Sequence, residues 1–287
     1  MYWARVKTIL IILFLVINIF LLVNRMISVD QTITVRSETV EDTIAVLNKN
    51  NIFVDKKLIP VRMKSMRKLE MYNSLQEVDL FAQAILGGGY HKTFNNNVYE
   101  FSKDSKTLII EGIKFNYYDY SPNNAINDLS EKNVEAYAKK ILSDIKIDYE
   151  DMAVKNIEKK DNEYYSITLI PRYQGKEIYG CYIKMNISKN GLSYIEGYWL
   201  TPGKYVSDFL PVRSITGILI DFIGNFKNNY NKPITITDIS IGFFVDTSMI
   251  STNLKTIEAE PVWQITTDDG NTYFYDTISG ERIGGGE

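Results

Sequence analysis

Residues Thr8 to Val23 read TILIILFLVINIFLLV, a run without charge and with one amide, Asn18. With Tyr2, Trp3 and Ala4 in front of it, the apolar span approaches the ~20 residues that a helix needs to cross a bilayer. Arg5 and Lys7 precede the run, and the positive-inside rule puts that end in the cytoplasm and the rest of the chain outside. Trp3 and Tyr2 suit aromatic anchors at the cytoplasmic interface. A cleaved signal peptide is the competing reading, but its apolar region is about 7–15 residues long and ends in a small-x-small site. Here the run is longer and is followed by Asn24, Arg25 and Met26, with no Cys after it to carry a lipid. The sequence therefore predicts a cytoplasmic tail over residues 1–7, an uncleaved transmembrane anchor over 8–26 and an extracytoplasmic remainder.

The 287 residues suffice for one large domain or two modest ones. Apolar residues make up 45% and charged residues 23%, a globular rather than a disordered balance. The net charge is −3 with no basic block, which argues against nucleic acid as a partner. One Cys and one His exclude an internal disulfide and a Cys/His zinc cluster. Any His-dependent nucleophilic catalysis would rest on His91. The 20 Tyr stand out against 3 Trp and 13 Phe.

Beyond the anchor, periodicity predicts an α+β domain of antiparallel sheets covered by helices. Over residues 30–125, Ser37–Asn50 reads as a helix with Ser37 at its N-cap and Val40, Ile44 and Leu47 on one face. Ile52–Val54 and Leu58–Met63 read as short strands, the second an edge because of Pro60. Leu75–Leu86 reads as a helix stopped by Gly87-Gly88-Gly89. Strand-like alternation starts at Tyr90 and continues through Val98–Phe101, Thr107–Ile110 and Ile113–Tyr118. Two later stretches resemble each other. Glu131–Ile145 and Arg213–Phe226 carry apolar residues at helical spacing. Each is followed by strands, over Tyr164–Pro171, Glu177–Ile187 and Leu192–Leu200, and over Ile234–Val245, Thr256–Thr266 and Asn271–Asp276. Each set contains a glycine hairpin, Lys189-Asn190-Gly191 and Asp268-Asp269-Gly270. This layout suggests two repeated helix-plus-sheet units, over 126–205 and 206–287. A single α+β domain with hairpins offers the same pattern without a repeat. The strands are amphipathic and rich in Tyr, which suits a half-buried face with hydroxyls in water. Such a face also suits the docking of a partner protein.

Candidate chemistry is sparse. His91 follows a Gly-rich turn and has no partner fixed by pattern. Cys181 lies in an apolar strand and reads as a buried, inert thiol. Gly87-Gly88-Gly89 lacks the Lys-Ser/Thr of a phosphate loop, and Asp268-Asp269-Gly270-Asn271 lacks calcium-loop spacing. The reading is of a chain that is not an enzyme and carries no cofactor or metal. Asn18 points elsewhere: an amide inside a membrane helix seeks a partner, and a neighbouring helix supplies one. Thr8, Leu15 and Leu22, with Asn18, form the expected contact face.

The N-terminal run from Tyr2 to Leu22 resembles the opening of the YycI family. Trp3, Lys7, Thr8, Ile9, Asn18 and Phe20 match its pattern of a Trp, a basic pair ending in Lys, Thr-Ile, an apolar run, and Asn or Asp before an aromatic residue. At the far end, Glu260-Pro261-Val262-Trp263-Gln264-Ile265 with Tyr273-Phe274 and Ser279-Gly280-Glu281 resembles the family's closing Pro-Val-Trp hairpin, which is similar to PepSY modules. The resemblance implies a single-span membrane protein that, with its relative YycH, acts on the sensor histidine kinase WalK (YycG) of a two-component system controlling cell-wall metabolism. It implies the membrane helix in contact with the kinase's own helices, and the outer domain in contact with the companion or the kinase sensor domain. Rival readings are an exported ligand-sensing or protease-inhibitor-like module and an anchored cell-wall enzyme.

Overall fold

The computed structural model describes residues 2–28, 32–126, 128–147, 152–160, 163–227, 232–249 and 254–285. Along the chain run helix α1 (Tyr2–Ser28), strand β1 (Thr32–Thr34), helix α2 (Ser37–Lys49) and strands β2 (Ile52–Val54), β3 (Arg62–Lys64) and β4 (Leu69–Asn73). Helix α3 (Val78–Leu86) precedes β5 (His91–Asn95), β6 (Val98–Lys103), β7 (Lys106–Glu111) and β8 (Lys114–Asp119). Helix α4 (Glu131–Asp144) precedes β9 (Met152–Lys160), β10 (Tyr164–Tyr173), β11 (Lys176–Tyr179), β12 (Tyr182–Ser188), β13 (Gly191–Tyr198) and β14 (Leu200–Tyr205). Helix α5 (Ile215–Lys227) precedes β15 (Ile234–Phe244), β16 (Thr256–Thr267), β17 (Thr272–Asp276) and β18 (Arg282–Gly285). The chain is thus mixed α+β and mostly sheet, and α1 is long and apolar enough to cross a membrane.

The fold divides into two compact units that do not follow chain order. One holds Met1–Arg67, Ser207–Ser240 and Trp263–Glu287; the other holds Lys68–Val206 and Ile241–Val262. This differs from the sequential division at 125 and 205 that the sequence suggested. The reason is pairing at long range: β2 lies parallel to β15, with Ile52 opposite Ile234 and Val54 opposite Ile236. A parallel pair needs a crossover, and period alone does not say how long it is.

In the first unit the sheet order is β2-β15-β16-β17-β18. Helix α2 packs against α5 and β2. Val40, Thr43 and Leu47 of α2 are buried, as are Ile215, Ile218, Leu219, Phe222 and Phe226 of α5. The α5 residues are the stripe seen in the sequence; in α2 Val40 and Leu47 are buried as expected, but Thr43 is buried and Ile44 only half-buried. Burying such stripes is what holds short helices. The first residue of α2 is Ser37, and Arg36 takes the N-cap place expected for Ser37; no side chain caps it. The strand expected over 58–63 is a 3₁₀ turn, Lys56–Leu58, capped by Asp55 through the Lys57 N–H, followed by Arg62–Lys64.

In the second unit eight antiparallel strands run β5-β6-β7-β8-β13-β12-β10-β9. They form two meanders, β5 to β8 behind α3 and β9, β10, β12 and β13 behind α4, joined along β8 and β13. Helices α3 and α4 bury Phe81, Ala82, Leu86, Val134, Ala138 and Leu142 against one sheet face. Across the β8–β13 seam, Gly197 pairs with Phe115. A Cβ on Gly197 would sit 2.7 Å from the Phe115 ring, so the glycine makes room for that ring to lie across the strand. Phe115 in turn meets Phe81 of α3 edge-on, with ring centroids 5.0 Å apart. Four antiparallel strands thus follow α3, and four follow α4 with β11 inserted; α5 is followed by four strands that are neighbours in one sheet, β17 and β18 antiparallel.

The strand expected over 177–187 is broken at Gly180. Before it, β11 pairs in parallel with the end of β15, Ile178 opposite Phe243; after it, β12 joins the antiparallel sheet. Gly180 has φ +86°, and a Cβ there would lie 2.0 Å from the Val245 carbonyl oxygen. Both facts exclude a side chain. Gly180→Ala is expected to cost about 2 kcal/mol or more, read as a lower urea midpoint at unchanged slope.

Candidate interaction site

From Arg5 to Val23 the residues of α1 are uncovered by the rest of the chain. Thr8, Leu15 and Leu22 are spaced by seven, and Asn18 lies three beyond Leu15 and four before Leu22. At 3.6 residues per turn all four fall within about a quarter of the helix circumference. Trp3 and Phe20 lie off this stripe. Lys7 places its ammonium 5.7 Å from the Trp3 ring centroid, one turn away, a cation–π contact. Asn18 Nδ2 donates to the Phe14 carbonyl at 2.8 Å. The helix thus satisfies one amide donor, and the other N–H and Oδ1 have no partner among the described residues.

The C-terminal motif residues are structural. In the first unit Trp263 is 1% exposed and its Nε1 donates to the Arg213 carbonyl at 3.0 Å. The Arg213 amide donates to Thr277 O at 2.6 Å, and its guanidinium reaches Ser279 O at 2.9 Å and Asp221 at 2.8 Å. Trp263 therefore fixes the segment leading into α5 against the final hairpin. Tyr273 meets Phe222 edge-on at 5.2 Å, with the Arg282 guanidinium 5.1 Å from its ring centroid. In the second unit Pro261 and Val262 are buried. Pro261 follows the last β4 pair, Ala259 opposite Leu69, and so removes no hydrogen bond from that pairing.

The expected wet aromatic face is present on the second unit's sheet, on the side away from α3 and α4. Strand alternation puts Lys114, Asn116 and Tyr118 of β8 on it, opposite Tyr198, Glu196 and Tyr194 of β13. Glu196 accepts hydrogen bonds from Tyr182 and Tyr194, each at 3.1 Å, and lies 3.7 Å from the Lys114 ammonium. Tyr118 stands 5.2 Å from Tyr194 and 6.2 Å from Tyr120, stacked on the latter. Asn186, opposite Tyr194 on β12, has a buried Oδ1 with no hydrogen bond among the described residues. Burial, then the Glu196 charge, pushes the Tyr182 phenol up to about 12. Burial, then hydrogen bonding to Glu196, raises Tyr194 as well. The alternation was legible in sequence, but the choice of Glu196 as hub was not, because it depends on which strands are neighbours.

His91 is exposed on β5. Cys181 is buried, and desolvation pushes its thiol up to about 12. Among the described residues no three of His, Cys, Asp and Glu gather as metal ligands would.

No protein-family model matches the chain, and neither does any curated protein. Among solved structures it is similar to an uncharacterized protein from Eubacterium rectale ATCC 33656, with a TM-score of 0.51 and 12% identity over 77% of this chain and 86% of that one. The likeness is one of fold.

Two measurements test these assignments. Trp263→Phe keeps the apolar ring but leaves the Arg213 carbonyl short of its donor, and should cost about 1–3 kcal/mol in chemical denaturation. In alkaline titration, the difference between wild type and Tyr182→Phe should show a phenol ionising near 12, moved lower by Glu196→Gln. Because the folded pKa lies above the ordinary value of 10, this group's stabilisation is complete below about pH 10 and lost as pH rises through about 12.

Proposed function

We propose that the chain is a membrane-anchored accessory regulator of the YycI kind. It acts on a sensor histidine kinase that controls cell-wall metabolism, together with a YycH-like companion. The observation that carries this reading is α1: apolar over Arg5–Val23, uncovered by the rest of the chain, and striped by Thr8, Leu15, Asn18 and Leu22. Its N-terminus lies in the cytoplasm, and everything beyond α1 lies outside. The amide groups of Asn18 that the helix leaves over pair with a kinase helix. The two successive helix-and-strand runs behind α4 and α5 are PepSY-like repeats, and the tyrosine face around Glu196 meets the companion or the kinase sensor domain. Contact biases the kinase by binding one of its two states more tightly.

The test is an in-cell photocrosslink from position 18 of the tagged full-length chain, read by mass spectrometry. Recovery of a histidine kinase or a YycH-like protein supports the reading. Recovery of neither, from abundant and membrane-inserted protein, overturns it. Asn18→Leu should weaken kinase association by about 0.6–2 kcal/mol, a three- to thirty-fold loss, and shift expression of the kinase's target genes.

A further inference from the structure

The eight-stranded sheet of the second unit ends in two unlike edges. At one end β9 carries Lys155, Lys159 and Lys160, and its register with β10 is broken by a bulge at Thr168/Leu169. Lysines and a bulge are the usual defences of an edge against further pairing. At the other end β5, His91–Asn95, pairs with β6 without a break, contains no proline, and is exposed at all five positions. Its one lysine, Lys92, is held by Asp79 of α3 at 2.7 and 2.8 Å, as Lys155 is by Glu177 and Lys160 by Glu158 on β9; what β5 lacks is the bulge and any further lysine.

The hairpin fixes which backbone groups β5 offers. Its loop is Asn96-Asn97, both with positive φ, 49° and 64°, the conformation of a two-residue type I′ turn. Such a turn makes Asn95 and Val98 a hydrogen-bonded pair. Alternation then makes Thr93–Glu100 and His91–Ser102 hydrogen-bonded too. The N–H and C=O of Lys92 and Phe94 therefore point away from β6, and no described residue pairs with them. Phe94 lies opposite Tyr99 in a close, non-hydrogen-bonded pair, ring centroids 4.4 Å apart, and is 56% exposed. Beside it opens a cavity of about 310 Å³, lined by Leu75, Val78, Phe94, Tyr99 and Ile110, with amides and no charged side chain completing the wall.

We propose that β5 is a docking edge that takes an extended segment of a partner protein as an added strand. The backbone groups of Lys92 and Phe94 specify an extended chain, since nothing else matches their spacing along a strand. The partner residue opposite Phe94 carries its side chain to the same sheet face, beside the cavity. That wall holds no charge and presents the amides of Asn73, Gln76 and Asn97 beside its apolar side chains, so it accepts an uncharged side chain able to meet an amide. A second copy of β5 fits less well. Antiparallel self-pairing about Thr93 sets Lys92 of the second copy against Phe94 and so puts a charged side chain beside a wall with no carboxylate to meet it. The proposal does not depend on what α1 meets in the membrane.

The test uses the full-length chain in detergent micelles and a heptapeptide library displayed on phage. The best selected heptapeptide is then synthesised. It should carry an uncharged residue at the position paired with Phe94 and slow deuterium exchange in the segment 90–96 at least ten-fold. Phe94→Pro removes an outward N–H without breaking the β6 ladder, and should abolish binding. Phe94→Ala spares the backbone edge and should weaken it about ten-fold. If Phe94→Pro does not fold, as judged by circular dichroism, exchange in the unsubstituted chain decides alone. Selection of no peptide, binding unaffected by Phe94→Pro, or exchange at 90–96 unchanged on binding overturns the proposal. So does slow exchange at 90–96 in the free protein that speeds on dilution, which would assign the edge to a second copy.

Discussion

The antiparallel seam between β8 and β13 is the pairing on which the second unit depends. Each four-stranded meander has only one helix to cover it, and a sheet of that size buries little apolar area alone. Joined at Lys114–Tyr198, Asn116–Glu196 and Tyr118–Tyr194, the two become one sheet. The core beneath it runs continuously from Phe81 to Leu142 and Ile183. Because side chains alternate with a period of two, the same seam brings Glu196, Tyr194, Tyr118 and Asn116 together on the opposite face. Core and wet face are two products of one register. A slip by one residue would drive Phe115 into water and Lys114 into the core.

The polar groups divide by the medium they meet. In α1 the amide of Asn18 is half satisfied by its own helix, through Phe14; in hydrocarbon, where water is absent, the remainder would need a partner from another molecule. On the sheet, Glu196, Tyr182, Tyr194 and Lys114 satisfy one another at the boundary with water, and the carboxylate needs no further partner. The first arrangement leaves an N–H and Oδ1 over among the described residues, whereas in the second Glu196 is engaged from three sides. Side chains already held by one another lose little further entropy when something rests on them.

Much of this was legible in the sequence. The stripes of α2, α4 and α5 follow directly from apolar spacing, and the hairpins at Lys189-Asn190-Gly191 and Asp268-Asp269-Gly270 from turn chemistry. The polar sheet face was foreseen from alternating Tyr. What escaped was long-range. Strand β4, LEMYN, has only Leu69 and Met71 in alternation to mark it, and is held between β14 and β16. Strand β9 is half charged, and reads as a loop until β10 is beside it. The break at Gly180 answers to the Val245 carbonyl, more than sixty residues on. The motif residues Trp263 and Tyr273 stood out by resemblance, yet their places are in the packing of α5 against the last hairpin, which sequence spacing does not reveal. The type I′ turn at Asn96-Asn97 was there to be read, but its consequence for the β5 edge needed the order of strands.

The buried Cys181 gives the chain an experimental asset. Its thiol is pushed up to about 12 and lies out of reach of water, so at ordinary labelling pH it carries essentially no thiolate. With no other cysteine in 287 residues, the native protein is a silent background for sulfhydryl chemistry. One cysteine placed by mutation on α1 or on either sheet surface would be the sole reactive group. A spin label or fluorophore could then be put at a single known point without first rebuilding the core.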